Sequence, residues 1–465
     1  MSEDIIEKNQ EQNDFNTKSN DYEEQKPIEN QVAEGGRGWL VIIGTGIGAM
    51  MGYGMINSFG TYQTYYKNEL YPETSSQSLS LIGAAQSTFI YILNPIIMPL
   101  MYVVGLRTLL TCGCALMIVS FFGLSTATSD SRWKIYVFQA VIYSLGHSLV
   151  FGSIIQSPME WFNKRRATAY SISFVFSCTG GVIFPLIFKN MINKHGFKWT
   201  NMTIGFLYIP LSIAVIFLIP QRLKPEHIHK PETISNAQFD IHKFKELPSR
   251  IMSNIRSWKP VLRDWRFLMF LLSNIIGGFG IFPAIFFMDY YGELIAPGAK
   301  IVSYLVMMYN AVGAPGRVIP GMLADKIGRA NVLFIWLFVC GLSIFVFWMT
   351  SIPGEDMNLY LAYTIFFGFF VGPYFSLAPA CLGQVFSHIE DADAKLGLYL
   401  LSLSPGPLVG CVIAGSFVPT ESGDKELLLD SFYKLTAFTG SMIIAGSLVV
   451  LLVRLSFTRK IFTYI

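Results

Sequence analysis

Apolar runs of roughly 20 residues recur twelve times along this chain, and they limit its fold more than any other feature. Each run is long enough to cross a ~30 Å hydrocarbon core as a helix. No water is present in lipid to satisfy backbone groups, so a chain built this way crosses as α-helices that bond within themselves. The expected class is all-α: a polytopic membrane protein with twelve transmembrane helices. At 52% hydrophobic and 14% charged, with 38 Phe, the composition lies far from that of a soluble domain.

The runs fall at about 38–65, 79–104, 106–126, 134–157, 166–190 and 199–219, then 267–291, 301–323, 331–350, 359–386, 396–418 and 431–457. They sort the chain into a tail (1–37), a first six-helix bundle (38–219), a linker (220–266), a second six-helix bundle (267–457) and a short C-terminal tail (458–465). The first 33 residues are polar and acidic and bury too little apolar surface to offset the entropy of ordering. Between Gln221 and Arg266 the chain is polar and proline-punctuated, with ten Lys/Arg against five Asp/Glu. With the tail inside, the linker and the loops carrying Lys164, Arg165, Arg166, Lys326, Arg329 and Lys395 are all cytoplasmic, which satisfies the positive-inside rule. Both termini are then cytoplasmic. Lys189, Lys194 and Lys198 are a local exterior exception. No basic segment with an apolar core precedes the first run, so no cleavable signal is expected.

A faint repeat links the halves. Gly105 and Arg107 follow the second run as Gly328 and Arg329 follow the eighth, although Tyr102 stands where the second half has Asp325. The first-half loop should therefore make the weaker charge contact. Parallel repeats of this kind place a solute site between the halves near the bilayer midplane.

Several function classes drop out. The six cysteines all lie in apolar runs and read as packing residues, the six histidines are scattered, and no clustered ligands or acid–base set suggests a metal, a cofactor or an enzyme. Gly44, Gly48 and Gly52 recur every fourth residue in an apolar helix, a close-packing pattern rather than a nucleotide loop. Nucleic acid is an unsuitable partner and no channel filter is present. A nutrient sensor with a transporter fold usually carries a longer terminal extension than this tail.

Polar residues inside the runs are candidate functional groups, because ionisable side chains at membrane depth are costly. Arg317 lies between Ile301 and Leu323 with no acid in that stretch. It has two readings: an anion contact in a cavity, or a side chain snorkelling about two turns to the cytoplasmic face. His147, between Gly146 and Ser148, is either a proton relay or a neutral imidazole bonded to a neighbouring helix. Asn94, Asn274 and Asn310 either line a cavity or join helices, and Asp289 either gates the exterior or is solvated. Pro405, Gly406 and Pro407 should break the eleventh run.

Gly321-Met322-Leu323-Ala324-Asp325-Lys326-Ile327-Gly328-Arg329 resembles the loop signature of the major facilitator superfamily. Glu34-Gly35-Gly36-Arg37-Gly38-Trp39, with Arg37 in an aromatic position, is similar to the opening motif of monocarboxylate transporters. Trp161-Phe162-Asn163-Lys164-Arg165-Arg166 resembles their second signature, and Tyr53-Gly54-Met55-Ile56-Asn57-Ser58-Phe59-Gly60 looks like their fungal branch. The resemblance covers nearly everything outside the tail. It implies a secondary carrier of a small organic solute, a monocarboxylate or related metabolite, working as a monomer in the plasma membrane or alternatively the vacuole, with protons as the coupling ion. Riboflavin is the alternative solute. By the same resemblance Arg317 meets a substrate carboxylate, with Asn57, Tyr53, Asn310 and Asn274 around the substrate. Gly321, Asp325, Gly328, Arg329, Lys164, Arg165 and Arg166 then form a conformational lock. Asn57 and Gly313 replace the lysine and aspartate of animal members, so proton coupling through that pair does not carry over, and His147 is the remaining relay candidate.

Overall fold

The computed structural model describes residues 35–74, 76–220, 247–383, 385–386, 392–418 and 425–457. The expectations for the N-terminal tail to residue 34, for the linker over 221–246 and for 458–465 lie outside them. Every regular element among the described residues is helical. Nine of these helices are long and apolar enough to cross a membrane, and a tenth is formed by a bent pair.

The twelve spans follow from three local details. The first, α1, is Arg37–Leu70, and α2 is Ser78–Ile92 with Asn94–Met101, bent by 44° where the chain reaches Asn94 and Pro95. Next come α3 (Leu106–Leu124) and α4 (Ile135–Trp161). The continuous helix Arg166–Leu218 has 53 residues, far more than one crossing needs, and Gly196 (φ 72°, ψ 176°) interrupts it. It supplies two spans, α5 (166–195) and α6 (197–218). After α7 (Trp265–Phe286) comes α8 (Leu305–Ile327), which is not among the nine because Asn310, Arg317 and its glycines and prolines lower its hydropathy. The rest are α9 (Arg329–Met349), α10 (Met357–Leu382), α11 (Ala394–Phe417) and α12 (Lys425–Phe457). As the prolines require, α11 breaks after Leu403 and resumes as a π-helical stretch at Gly406–Gly410.

The glycines set the helix spacing. A Cβ on Gly54 of α1 would lie 2.7 Å from the Gly180 Cα of α5, and one on Gly406 of α11 would lie 3.1 Å from the Gly278 carbonyl carbon of α7. These are equivalent contacts in the two halves. Gly44, Gly48 and Gly52 likewise meet Leu218, Ile154 and His147 at distances no added methyl would tolerate. The repeat extends to the turns. Gly105 (φ 84°, ψ 150°) and Gly328 (φ 99°, ψ 133°) adopt nearly the same left-handed conformation, one available to glycine without strain.

Helix α5 packs along α8, so the halves touch. The linker residues nearest the second bundle form a helix of their own, Leu247–Val261, which the polar reading of the linker did not anticipate. It rests on the ends of α2 and α11 at the terminal face, the face where α1 begins and α12 ends.

Candidate functional site

At the terminal face the halves are joined by one acid. The Asp325 carboxylate, on the last turn of α8, accepts from Ala167 N (3.2 Å), Thr168 N (2.9 Å) and Thr168 Oγ1 (2.8 Å) at the start of α5. These backbone donors have no helical partner of their own, and the positive end of the helix dipole favours an anion there. Arg329 donates to the same carboxylate at 3.1 Å, to the Ala380 carbonyl and to the Asn163 carbonyl, so it ties α8, α10 and the α4–α5 turn together. Gly321 lets α8 approach: a Cβ there would lie 2.1 Å from Ser171 Oγ. Arg166 bonds to the Phe162 carbonyl and lies against Gly383, whereas Lys164 and Arg165 are exposed. In the first half Arg107 is exposed, and among the described residues the equivalent loop makes no ion pair like that of Asp325.

Above this closed face a cavity of about 990 Å³ runs between the halves. Its outer wall comes from the far ends of α1 and α5, from Met288–Ile295 and from the segment before α8, so it opens at the face opposite the termini. The rim carries Lys67, Glu69, Lys189, Asp289, Glu293 and Lys300, a mixture of both signs. Lys189 Nζ bonds to the Ser303 carbonyl and lies 5.0 Å from the centre of the Tyr304 ring.

Arg317 is part of the lining deep in this cavity, 3% exposed. Its Nη1 donates to the Gly313 carbonyl (3.1 Å) and to Cys178 Sγ of α5, while its Nε has no partner among the described residues. Tyr53 and Tyr309 line the same cavity. A guanidinium held in place with unspent donor capacity suits an incoming planar anion. Around it stand aromatic rings. The Tyr53 and Tyr91 hydroxyls meet at 3.2 Å, and Phe174, Phe282 and Phe375 complete the wall.

The other candidates divide. Asn57 lines the cavity but donates across the halves to Asn310 Oδ1 (2.9 Å), and Asn310 in turn donates to the Val306 carbonyl (2.8 Å) and packs on Gly181. These two residues form a bridge between α1 and α8. Asn274 is not in the cavity wall; its side chain bonds to the Phe270 carbonyl at 2.7 Å. His147 is 0% exposed, lies edge-on to Tyr53 (5.3 Å between centroids) and has no hydrogen-bond partner at either ring nitrogen among the described residues. It sits behind Tyr53, one layer from the cavity. Tyr91, Phe174, Tyr309 and Cys178 were missed in the sequence, where an aromatic or a cysteine in an apolar run has the same pattern as core.

Residues 39–355 match the family described as Major Facilitator Superfamily. The chain is 27% identical to an MFS-type transporter of Aspergillus niger, over 90% of this chain and 88% of that one. It is also 27% identical to the riboflavin transporter of Saccharomyces cerevisiae (88% and 77% covered) and 23% identical to the aspyridones efflux protein of Emericella nidulans (85% and 75%). Among solved structures it is similar to the proton:xylose symporter XylE, with TM-score 0.61 and 13% identity over 88% of this chain and 94% of that one. At that identity the likeness speaks for the fold alone.

Proposed function

This chain belongs to the Major Facilitator Superfamily, and we propose that it is a secondary carrier that moves an organic anion, a carboxylate or related acidic metabolite, by alternating access. The observation that carries this reading is a cavity open to one face only, with the Arg317 guanidinium deep in its lining and the other face shut by Asp325. Arg317 pairs with the anionic group; Tyr53 and Asn57 shape the pocket; Asp325 and Arg329 hold the terminal face closed until the halves rock. The positive-inside charges support cytoplasmic termini, on which reading the cavity faces outward, with the plasma membrane as the site and the vacuole as the alternative.

A second reading concerns solute size. Small-molecule pockets run to roughly 300–1,000 Å³, and this cavity is at the upper end of that range. Lactate would leave most of it empty, whereas a ring-lined wall favours a bulky aromatic solute. One relative is a riboflavin transporter and another is an aspyridones efflux protein, which supports a bulkier, flavin-like organic solute. Uptake and export of labelled lactate, pyruvate, longer hydroxy acids and riboflavin, in cells lacking and overproducing the protein, tests both readings. Arg317→Gln should abolish flux of the accepted solute while leaving the protein in the membrane; unchanged flux removes Arg317 from the mechanism.

A further inference from the structure

The helix Leu247–Val261 has three faces, more than a tether requires. Val261 is buried, and Trp258 packs against the same core cluster, so one face turns into the protein. A second face, continuing just past the helix end, presents Met252, Ile255 and Leu262, which are 51%, 45% and 38% exposed. Arg256 and Arg263 lie on the adjoining sector and are exposed, and Lys259, also exposed, falls within the apolar row between Ile255 and Met252. From Leu247 to Arg263 the chain has four basic residues, Arg250, Arg256, Lys259 and Arg263, and no acid.

The position of the helix gives these faces a meaning. It leads directly into α7, whose first residue, Trp265, is exposed where a span meets the interface. It also touches α2 of the first half and α11 of the second, so it straddles a seam whose own turn has no counterpart of Asp325. An apolar row beside a basic one, at the level where spans end, matches the boundary between acyl chains and anionic headgroups.

We propose that Leu247–Val261 is a strap that binds anionic phospholipid and, seated there, holds α2 against α11 on the terminal face. Met252, Ile255 and Leu262 enter the acyl boundary, Lys259 snorkels from it, and Arg256 and Arg263 meet the phosphates. Lipid charge then acts on a seam whose first-half turn has Tyr102 where the second half has Asp325.

The test uses the full-length protein in nanodiscs of phosphatidylcholine alone or with phosphatidylserine, read by hydrogen–deuterium exchange of peptides covering 247–261. Each basic side chain near an anionic surface changes membrane partition roughly fivefold, so three together change it about 100-fold. Exchange in this segment should be slowed at least tenfold by phosphatidylserine, and 1 M salt should erase the difference, because it screens the charge within about 3 Å. The triple substitution Arg256→Gln, Lys259→Gln, Arg263→Gln should also erase it. Met252→Ser with Ile255→Ser should speed exchange in both lipids. Peptides from α9 and α12 report whether each variant is folded, and a variant that fails there is replaced by Arg256→Gln alone, which should reduce the lipid effect about fivefold. Equal exchange in both lipids, or a lipid effect that survives neutralisation of the basic residues, overturns the proposal.

Discussion

Removing the Asp325 carboxylate should open the terminal face, and its contacts set the size of the effect. The carboxylate takes three hydrogen bonds from the start of α5, in the other half of the molecule, and one ion pair from Arg329 four residues along its own chain. Of the carboxylate's own contacts, only the three bonds to α5 cross between the halves, because the Asp325–Arg329 pair lies within one half. Loss of that pair is common to both states and cancels, while the separate Arg329 bond to the Asn163 carbonyl, which also crosses, does not involve Asp325 and is kept in the closed state. At about 1 kcal/mol net for each bond, the state-specific loss in Asp325→Ala is about 3 kcal/mol, or roughly 100-fold in the closed-to-open ratio. An equilibrium of about 99:1 in favour of the closed terminal face would become about even. Spin labels at Asn68 and Lys300, exposed residues that line the cavity on opposite halves, report the change in nanodiscs once Cys112, the exposed native thiol, is replaced by Ser. The variant should move about half the molecules to a shorter label separation, as the outer mouth narrows when the terminal face opens. A distance distribution identical to that of the parent protein would refute the view that this acid holds the halves together.

Other substitutions probe different layers. Gly54→Val should be severely destabilising, because backbone at Gly180 cannot yield to a Cβ at 2.7 Å; overpacking of this kind costs about 1–3 kcal/mol or more, visible as a lower thermal midpoint of helical circular dichroism. Gly196→Ala should cost about 1–3 kcal/mol from the backbone alone, since φ 72°, ψ 176° is a region essentially only glycine adopts and the site is empty to 4 Å; Gly196→Val costing several kcal/mol more than Gly196→Ala would show an unrecognised contact. We propose His147 as the relay for the expected proton coupling: uptake by the parent protein should then respond to a protonophore, and His147→Gln should leave the fold intact and remove that response, whereas a retained response excludes His147 as the relay.

Some of this was legible in the sequence for a clear physical reason, and some was not. Apolar length alone reveals a membrane span, so eleven runs and the proline break in α11 could be read directly. The eighth run was still recognisable, although the polar groups that give α8 its interest also dilute its hydropathy. The charged turn from Asp325 to Arg329 announced itself, but not its partner, because the backbone donors of Ala167 and Thr168 lie more than 150 residues away and carry no side-chain signal. The Asn57–Asn310 bridge was equally hidden: each residue looked like an unsatisfied polar group until the fold brought two of them together across 253 positions. The linker helix was obscured by Pro248 and Pro260, although Trp258 and Val261 already stood at helical spacing.

The polarity of α8 has a consequence for how the protein is made. An arginine at the centre of a span raises the cost of insertion by about 2.5–3.5 kcal/mol, and Asn310 adds to it. Lipid alone is a poor host for this helix. It finds its hosts in Cys178 and Gly181 on α5, and in Gly368 and Gly372 on α10, against which Tyr309 and Gly316 pack. During synthesis α5 is already in the bilayer when α8 emerges, whereas α10 is not. The first half thus acts as a template for the second, and the seam that later moves during transport is the surface on which the second half is received into the membrane.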